Sequence, residues 1–254
     1  MSRPIRLVIS GCCGRMGSRI AALAQADRAF RITGAIEHAG HACLGRDVGE
    51  CLGSGHLGVL ITDRAERAIA EGDVLIEFTN PEATMAHLQA ARRLNKRMVI
   101  GTTGLTDTQH RQIAAAARTI PVLYAPNMSV GVNLLFELAA QAAGRLGSEY
   151  ELEIVEAHHR HKQDAPSGTA KRLAEVAAKA RRVPVARIPI HAIRAGDIVG
   201  DHTLLLAGPG ERLELTHRAH SRDTFAQGAL RAARFLAHQR RPGLFSMQDA
   251  LQHI

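Results

Sequence analysis

Short apolar runs bounded by turn residues recur through the first half of the chain, each followed by a segment of helical periodicity. Residues 6–10 (R-L-V-I-S) form the first run, a continuous apolar stretch of the kind that parallel strands show when both faces are covered. Residues 15–26 follow as a helix, 31–37 as a second strand and 73–79 (D-V-L-I-E-F-T) as a further one. Asn80-Pro81 then supplies an N-cap and a proline at the first helical position, launching a helix to residue 95. Residues 97–101 repeat the strand pattern, Thr106 with Gln109 forms a capping box that opens a helix to residue 118, and 121–125 close the series. This alternation predicts an α/β fold, a Rossmann-type doubly wound parallel sheet.

The texture changes after residue 127. A long helix spans 129–146, and Y-E-L-E-I-V-E-A-H at 150–158 then alternates apolar and polar positions, placing Leu152, Ile154, Glu156 and His158 on one face. A helix over 167–181, strands near 188–194, 203–207 and 212–217, and a closing helix from 221–223 to 238 complete a second, α+β domain with antiparallel or mixed pairing. The expected boundaries are 1–127 for the first domain and 128–237 for the second, with the tail 238–254 returning to the first.

Composition narrows the function. With 254 residues, 46% hydrophobic and 22% charged, the chain buries a sizeable core, which excludes a disordered or fibrous protein. The net charge of +8 invites a nucleic-acid partner, but only four of the 32 basic residues are lysines, the arginines are scattered, and Trp is absent. Bases would find few aromatic platforms, so the positive field is read as an attractor of anionic substrates and cofactors. Residues 119–136 are uncharged yet contain Pro121, Pro126, Asn127 and Asn133, which argues against a membrane span. No apolar leader is visible, and a cytoplasmic protein is expected. The four cysteines, Cys12, Cys13, Cys43 and Cys51, show neither a disulfide framework nor zinc spacing, so no metal is expected.

Two segments carry chemistry. Gly11-Cys12-Cys13-Gly14-Arg15-Met16-Gly17 lies between the first strand and the first helix, where glycines and helix N–H groups hold a pyrophosphate. Glu37 ends the second strand, 20 residues after Gly17, where an acid accepts from an adenosine ribose. Gly101-Thr102-Thr103-Gly104 and Ala125-Pro126-Asn127-Met128 follow later strands, at the edge where ligands of such sheets sit. In the second domain, E-A-H-H-R-H-K-Q-D-A-P-S-G-T-A from Glu156 gathers histidines, an arginine and Lys162 just before a helix that opens at Ser167-Gly168-Thr169. A helix N-terminus binds anions, and His and Lys beside it deliver protons near neutral pH. No Cys or arranged carboxylate completes a metal set there. The combination suits a small polycarboxylate that must be protonated.

These motifs, together with F-T-x-P at Phe78, N-x-S-V-G-V-N at Asn127, R-A-G-D-I-V-G at Arg194 and T-H-R-A-x-S-R-x-T-F-A-x-G-A at Thr216, resemble the dihydrodipicolinate reductase family over nearly the whole chain. The resemblance implies NAD(P)H-dependent reduction of (2S,4S)-4-hydroxy-2,3,4,5-tetrahydrodipicolinate, with loss of water, in diaminopimelate and lysine synthesis. It implies His158 as general acid, Lys162 as second proton donor or partner, and His159, Ser167, Gly168 and Thr169 as holders of substrate carboxylates. Gly11, Cys12, Cys13, Gly14, Arg15, Met16, Glu37, His38, Gly101, Thr102, Thr103, Ala125, Pro126, Asn127 and Met128 would line the cofactor, and the members' homotetramers assemble through the second-domain sheets.

Three departures stand out. His38 replaces the arginine that many members carry after the ribose-binding acid, which favours NADH or dual use, although Arg15 remains for a 2′-phosphate. Cys12 replaces an alanine and would expose cofactor binding to oxidation. The loop before residue 188 is shorter than usual. Two rival readings are weaker: a dinucleotide-sensing regulator of nucleic acid would need a clustered basic face, and a semialdehyde dehydrogenase would need a cysteine in the second domain.

Overall fold

The computed structural model describes residues 3–252. In chain order the elements are β1 (Ile5–Ser10), α1 (Gly17–Ala26), β2 (Phe30–Ile36), α2 (Val48–Cys51), β3 (Ile61–Thr62), α3 (Ala65–Ala70), β4 (Val74–Glu77), α4 (Pro81–Arg93), β5 (Arg97–Ile100), α5 (Asp107–Ala116) and β6 (Pro121–Tyr124). They continue with α6 (Val130–Leu146), β7 (Glu151–His158), α7 (Gly168–Arg181), β8 (Ile190–Arg194), β9 (Gly200–Gly208), β10 (Glu211–Ala219), α8 (Asp223–His238), β11 (Gly243–Phe245) and α9 (Met247–Gln252). No helix among the described residues is long and apolar enough to cross a membrane.

The chain divides into two compact units, residues 1–128 with 225–254, and residues 129–224. The first is built on a seven-stranded sheet of order β11-β6-β5-β4-β1-β2-β3, parallel at every pairing. Leu7, Val8 and Ile9 in β1 and Val74, Leu75 and Ile76 in β4 are essentially inaccessible, which is why those segments read as unbroken apolar runs. Helix starts follow the expected chemistry. The Asn80 side chain accepts from the Ala83 N–H, with Pro81 in the first turn, and Thr106 with Gln109 closes a reciprocal capping box on α5. Helix α1 starts at Gly17, so Arg15 and Met16, expected in the helix, belong to the loop. The stretch 48–70, which carries no clear period, folds into α2, β3 and α3, elements too short for periodicity to register.

The sequence expectation placed the closing helix in the second domain, with a return to the first only from residue 238. Instead α8 belongs to the first unit from Phe225 onward. Arg234 pairs with Asp27 at 2.6 Å and lies over the Phe30 ring, Phe235 packs edge-to-face on Phe245, and Arg231 donates to the carbonyls of Ala250 and Leu251. After α8, β11 extends the sheet beside β6.

The second unit has a four-stranded mixed sheet of order β10-β9-β7-β8, with β7 and β8 parallel and β9 antiparallel to both β7 and β10. Alternation along β7 buries Leu152, Ile154, Glu156 and His158 as expected. The first two join a core with Val132, Leu135 and Phe136 of α6 and Leu173, Ala174 and Ala177 of α7. Each fully buried leucine there contributes about 2 kcal/mol. Towards the end of β7 the same face turns polar, and the chemistry begins there.

Candidate functional site

In the first unit, the predicted cofactor residues all follow the C-terminal ends of strands on either side of β4: Gly11–Met16 after β1, Glu37 and His38 after β2, Gly101–Thr103 after β5, and Ala125–Met128 after β6. This edge of a parallel sheet, with helix N-termini facing it, is where a dinucleotide fits. Gly17 is demanded by packing, because a Cβ there would stand 2.0 Å from the Gly11 carbonyl oxygen. Gly101 lies against the Phe78 ring, where a Cβ would come within 2.2 Å. Helix α1 has no side-chain cap, so its positive end is left to an anion. The Glu37 carboxylate accepts the Cys13 N–H at 2.8 Å and the His38 N–H at 3.4 Å, coupling the acid to the loop. Thr84 donates to the buried Thr102 hydroxyl at 2.8 Å, fixing the Gly101–Thr103 turn.

Cys12 is fully buried, and burial pushes its thiol far above the ordinary range. A protonated, inaccessible thiol is a poor target for oxidants, so the oxidation sensitivity expected of Cys12 is not supported by its placement. Beneath the loop, fully buried Glu77 accepts from Thr79 and from His87, the latter at 2.6 Å, and His87 also meets the Ser10 hydroxyl. Sequence reasoning passed over this network, which ties the ends of β1 and β4 to α4.

In the second unit, Glu156 is the hub. It is fully buried and receives four hydrogen bonds: His158 Nδ1–H at 2.5 Å, both Arg194 terminal nitrogens at 2.8 Å, and the Ser167 N–H at 3.0 Å. Burial alone would raise its carboxyl, but Arg194, His158 and the Ser167 N–H outweigh it and hold it below the usual carboxylate range. Burial pulls His158 below the ordinary histidine value, Glu156 opposes that, and Lys162 and Arg194 add to the lowering. Arg194 also donates to the Asp164 carbonyl at 2.6 Å, pinning the basic loop.

Ser167 caps α7 by accepting from the Ala170 N–H, and its hydroxyl meets His202 Nε2 at 3.1 Å. The His202 ring stands edge-on to His158 at 5.1 Å. Burial and the neighbouring His158 push His202 down to about 3, so it is neutral. Lys162 is bridged to Asp164 at 2.8 Å. His158, Lys162 and Ser167 thus share one connected cluster, with the exposed Gly168 and half-buried Thr169 opening α7 and half-buried His159 directly following the strand.

Glu156, Arg194 and His202 were missed as site residues, although the alternation of β7 had placed Glu156 and His158 on one face. Arg194 lies opposite His158, and His202 opposite Glu156, only through strand register.

The family models for the N-terminal and C-terminal parts of dihydrodipicolinate reductase match residues 5–128 and 131–251. The 4-hydroxy-tetrahydrodipicolinate reductase of Magnetococcus marinus is 46% identical, over 97% of this chain and 98% of its own length. That of Nitrosomonas europaea is 47% identical, over 98% of each. Among solved structures, a dipicolinate-bound dihydrodipicolinate reductase from Paenisporosarcina superposes with a TM-score of 0.82 at 25% identity, covering 97% of this chain and 99% of that one. On the strength of both family models and of relatives matched from end to end, the chain belongs to the dihydrodipicolinate reductase family.

Proposed function

We propose that the chain reduces 4-hydroxy-tetrahydrodipicolinate to tetrahydrodipicolinate, with loss of water, in the diaminopimelate route to lysine. The observation that carries this reading is the buried Glu156–His158 pair, set beside the capped N-terminus of α7. The family membership supports it. A nicotinamide dinucleotide supplies the hydride when bound, and the close-packed Gly17, the uncapped α1 and the Glu37 carboxylate fit such a group.

His158 is the general acid. Its Nδ1–H is committed to Glu156, which leaves Nε2 as the nitrogen that delivers the proton to substrate carbon. Bound dicarboxylate brings negative charge that offsets the effect of Lys162 and Arg194 on the ring, so substrate favours the protonated acid it needs. Lys162 is a second cation and proton donor near the carboxylates. His159, Ser167, Gly168 and Thr169 hold those carboxylates at the helix N-terminus, where dipole and N–H groups favour an anion.

Gly11–Met16, Glu37, His38, Gly101–Thr103 and Ala125–Met128 bind the dinucleotide, and His38 in place of arginine favours NADH or use of both cofactors. Homotetramers assembled through the second-unit sheets, and a cytoplasmic location, complete the proposal. His158→Gln tests it. Turnover should fall by about 10²–10³-fold while dinucleotide affinity, measured by fluorescence titration, stays unchanged. Near-normal turnover would remove His158 from the role.

A further inference from the structure

All four cysteines lie before residue 52, and the fold gathers them on one side of the first unit. The Cys12 and Cys13 sulfurs are 3.9 Å apart, the Cys13 and Cys43 sulfurs lie within 4.8 Å of each other, and Cys51 is close enough to Cys43 for the two thiols to interact. His41 lies beside Cys13 and Cys43. The ligand atoms of Cys13, His41 and Cys43 all lie within 4.8 Å of one another, and each of the three residues is half-buried. Two sulfurs and an imidazole nitrogen make a soft donor set, unsuited to magnesium or calcium and suited to zinc.

We infer that Cys13, His41 and Cys43 form a binding site for a single thiophilic divalent cation, zinc, beside the glycine loop of the first unit. Sequence spacing hides the site, because Cys13 precedes the His41-x-Cys43 pair by 28 residues. Tetrahedral zinc with Zn–S near 2.3 Å places its ligand atoms about 3.8 Å apart. Donors within 4.8 Å therefore close on the ion by side-chain movements of about 1 Å.

The loop that presents two of the ligands is already fixed. The Asp47 carboxylate accepts the N–H groups of Gly49, Glu50, Leu57 and Val59, and backbone bonds join Gly45 and Arg46 to Ile61. The Cys43 N–H donates to His41 Nδ1 at 3.2 Å, a bond that an entering cation replaces at that nitrogen, and the edge of the His38 ring stands beside His41. An entering cation displaces both thiol protons: one Zn²⁺ and two thiols give a zinc dithiolate and two protons. Glu37 and His38 border the ion, since Glu37, His38 and His41 form an overlapping group of donors.

The test uses the full chain, reduced and washed free of metal with a chelator. Zinc is titrated against a chromophoric indicator, and cobalt is added separately to read thiolate-to-metal charge transfer in the near ultraviolet. A single zinc equivalent and a cobalt–thiolate band are expected. Cys43→Ser and His41→Gln should each weaken zinc by at least about tenfold and diminish the band, with circular dichroism unchanged. His159→Gln/His161→Gln, which removes the other histidine cluster, should leave both signals in place. A wild-type cobalt spectrum without a thiolate band overturns the inference, even if a variant fails to fold. Zinc binding that survives in Cys43→Ser and vanishes in the His159/His161 variant overturns it as well.

Discussion

Replacing Glu156 by glutamine keeps the shape of the hub and removes its charge. In the native protein the carboxylate is fully buried and takes two hydrogen bonds from Arg194, one from His158 and one from the Ser167 N–H. The amide offers a single acceptor oxygen and sets an NH₂ group against donors. Breaking a buried ion pair by neutralising one partner costs about 3–5 kcal/mol when the other charge has nowhere to go. Arg194 retains the Asp164 and Ile193 carbonyls, so a loss near the low end, about 3 kcal/mol, is expected and would be measured by urea denaturation.

The kinetic effect has a definite sign. Burial already lowers His158, and Glu156 is the group that opposes this. Without the carboxylate, the group that opposes the lowering is gone and His158 drops further. Activity that needs protonated His158 is lost as pH rises through its pKa, so the alkaline limb of the kcat profile moves to lower pH. At pH 7 kcat falls, while KM for substrate changes less. Glu156→Asp, which restores the charge, should recover part of the profile. An unchanged pH profile in a folded Glu156→Gln protein would refute the reasoning.

Further predictions concern the first unit. Gly17→Ala drives a methyl group against the Gly11 carbonyl and should abolish dinucleotide binding by fluorescence titration; retained affinity would show that the loop adapts. His38→Arg should raise the ratio of NADPH to NADH turnover, and an unchanged ratio would remove this position from cofactor choice. Asp47 is opposed by burial, but four backbone N–H bonds outweigh that and lower its carboxyl to about 2. Its contribution to stability is therefore full above its ordinary value of 3.8 and fades as pH falls towards about 2. Asp47→Asn should flatten the acid limb of a stability-versus-pH curve measured by chemical denaturation.

Local chemistry was legible in the sequence. Capping at Asn80 and Thr106, the unbroken apolar strands and the period-two pattern of β7 all state their structure within a few neighbouring residues. What depends on register or distant packing was not. Arg194 joins Glu156 because β8 runs parallel to β7, and His202 reaches Ser167 from β9, so neither is visible before the strands are paired. Helix α8 buries alanines, Leu230 and Phe235, but an apolar helix face does not name the surface it covers, and it was assigned to the wrong unit. The thiol row belongs to the same class, assembled by strand order and by the loop that Asp47 holds.

The central claim is that this chain is a nicotinamide-dependent reductase whose proton comes from a carboxylate-held histidine. It is tested most directly by following nicotinamide absorbance with purified protein and substrate formed in place from pyruvate and aspartate semialdehyde by the preceding synthase, with NADH and NADPH in parallel. The account predicts protein-dependent oxidation of at least one cofactor, with NADH used as well as or better than NADPH. Tight dinucleotide binding with no oxidation of either cofactor would contradict it.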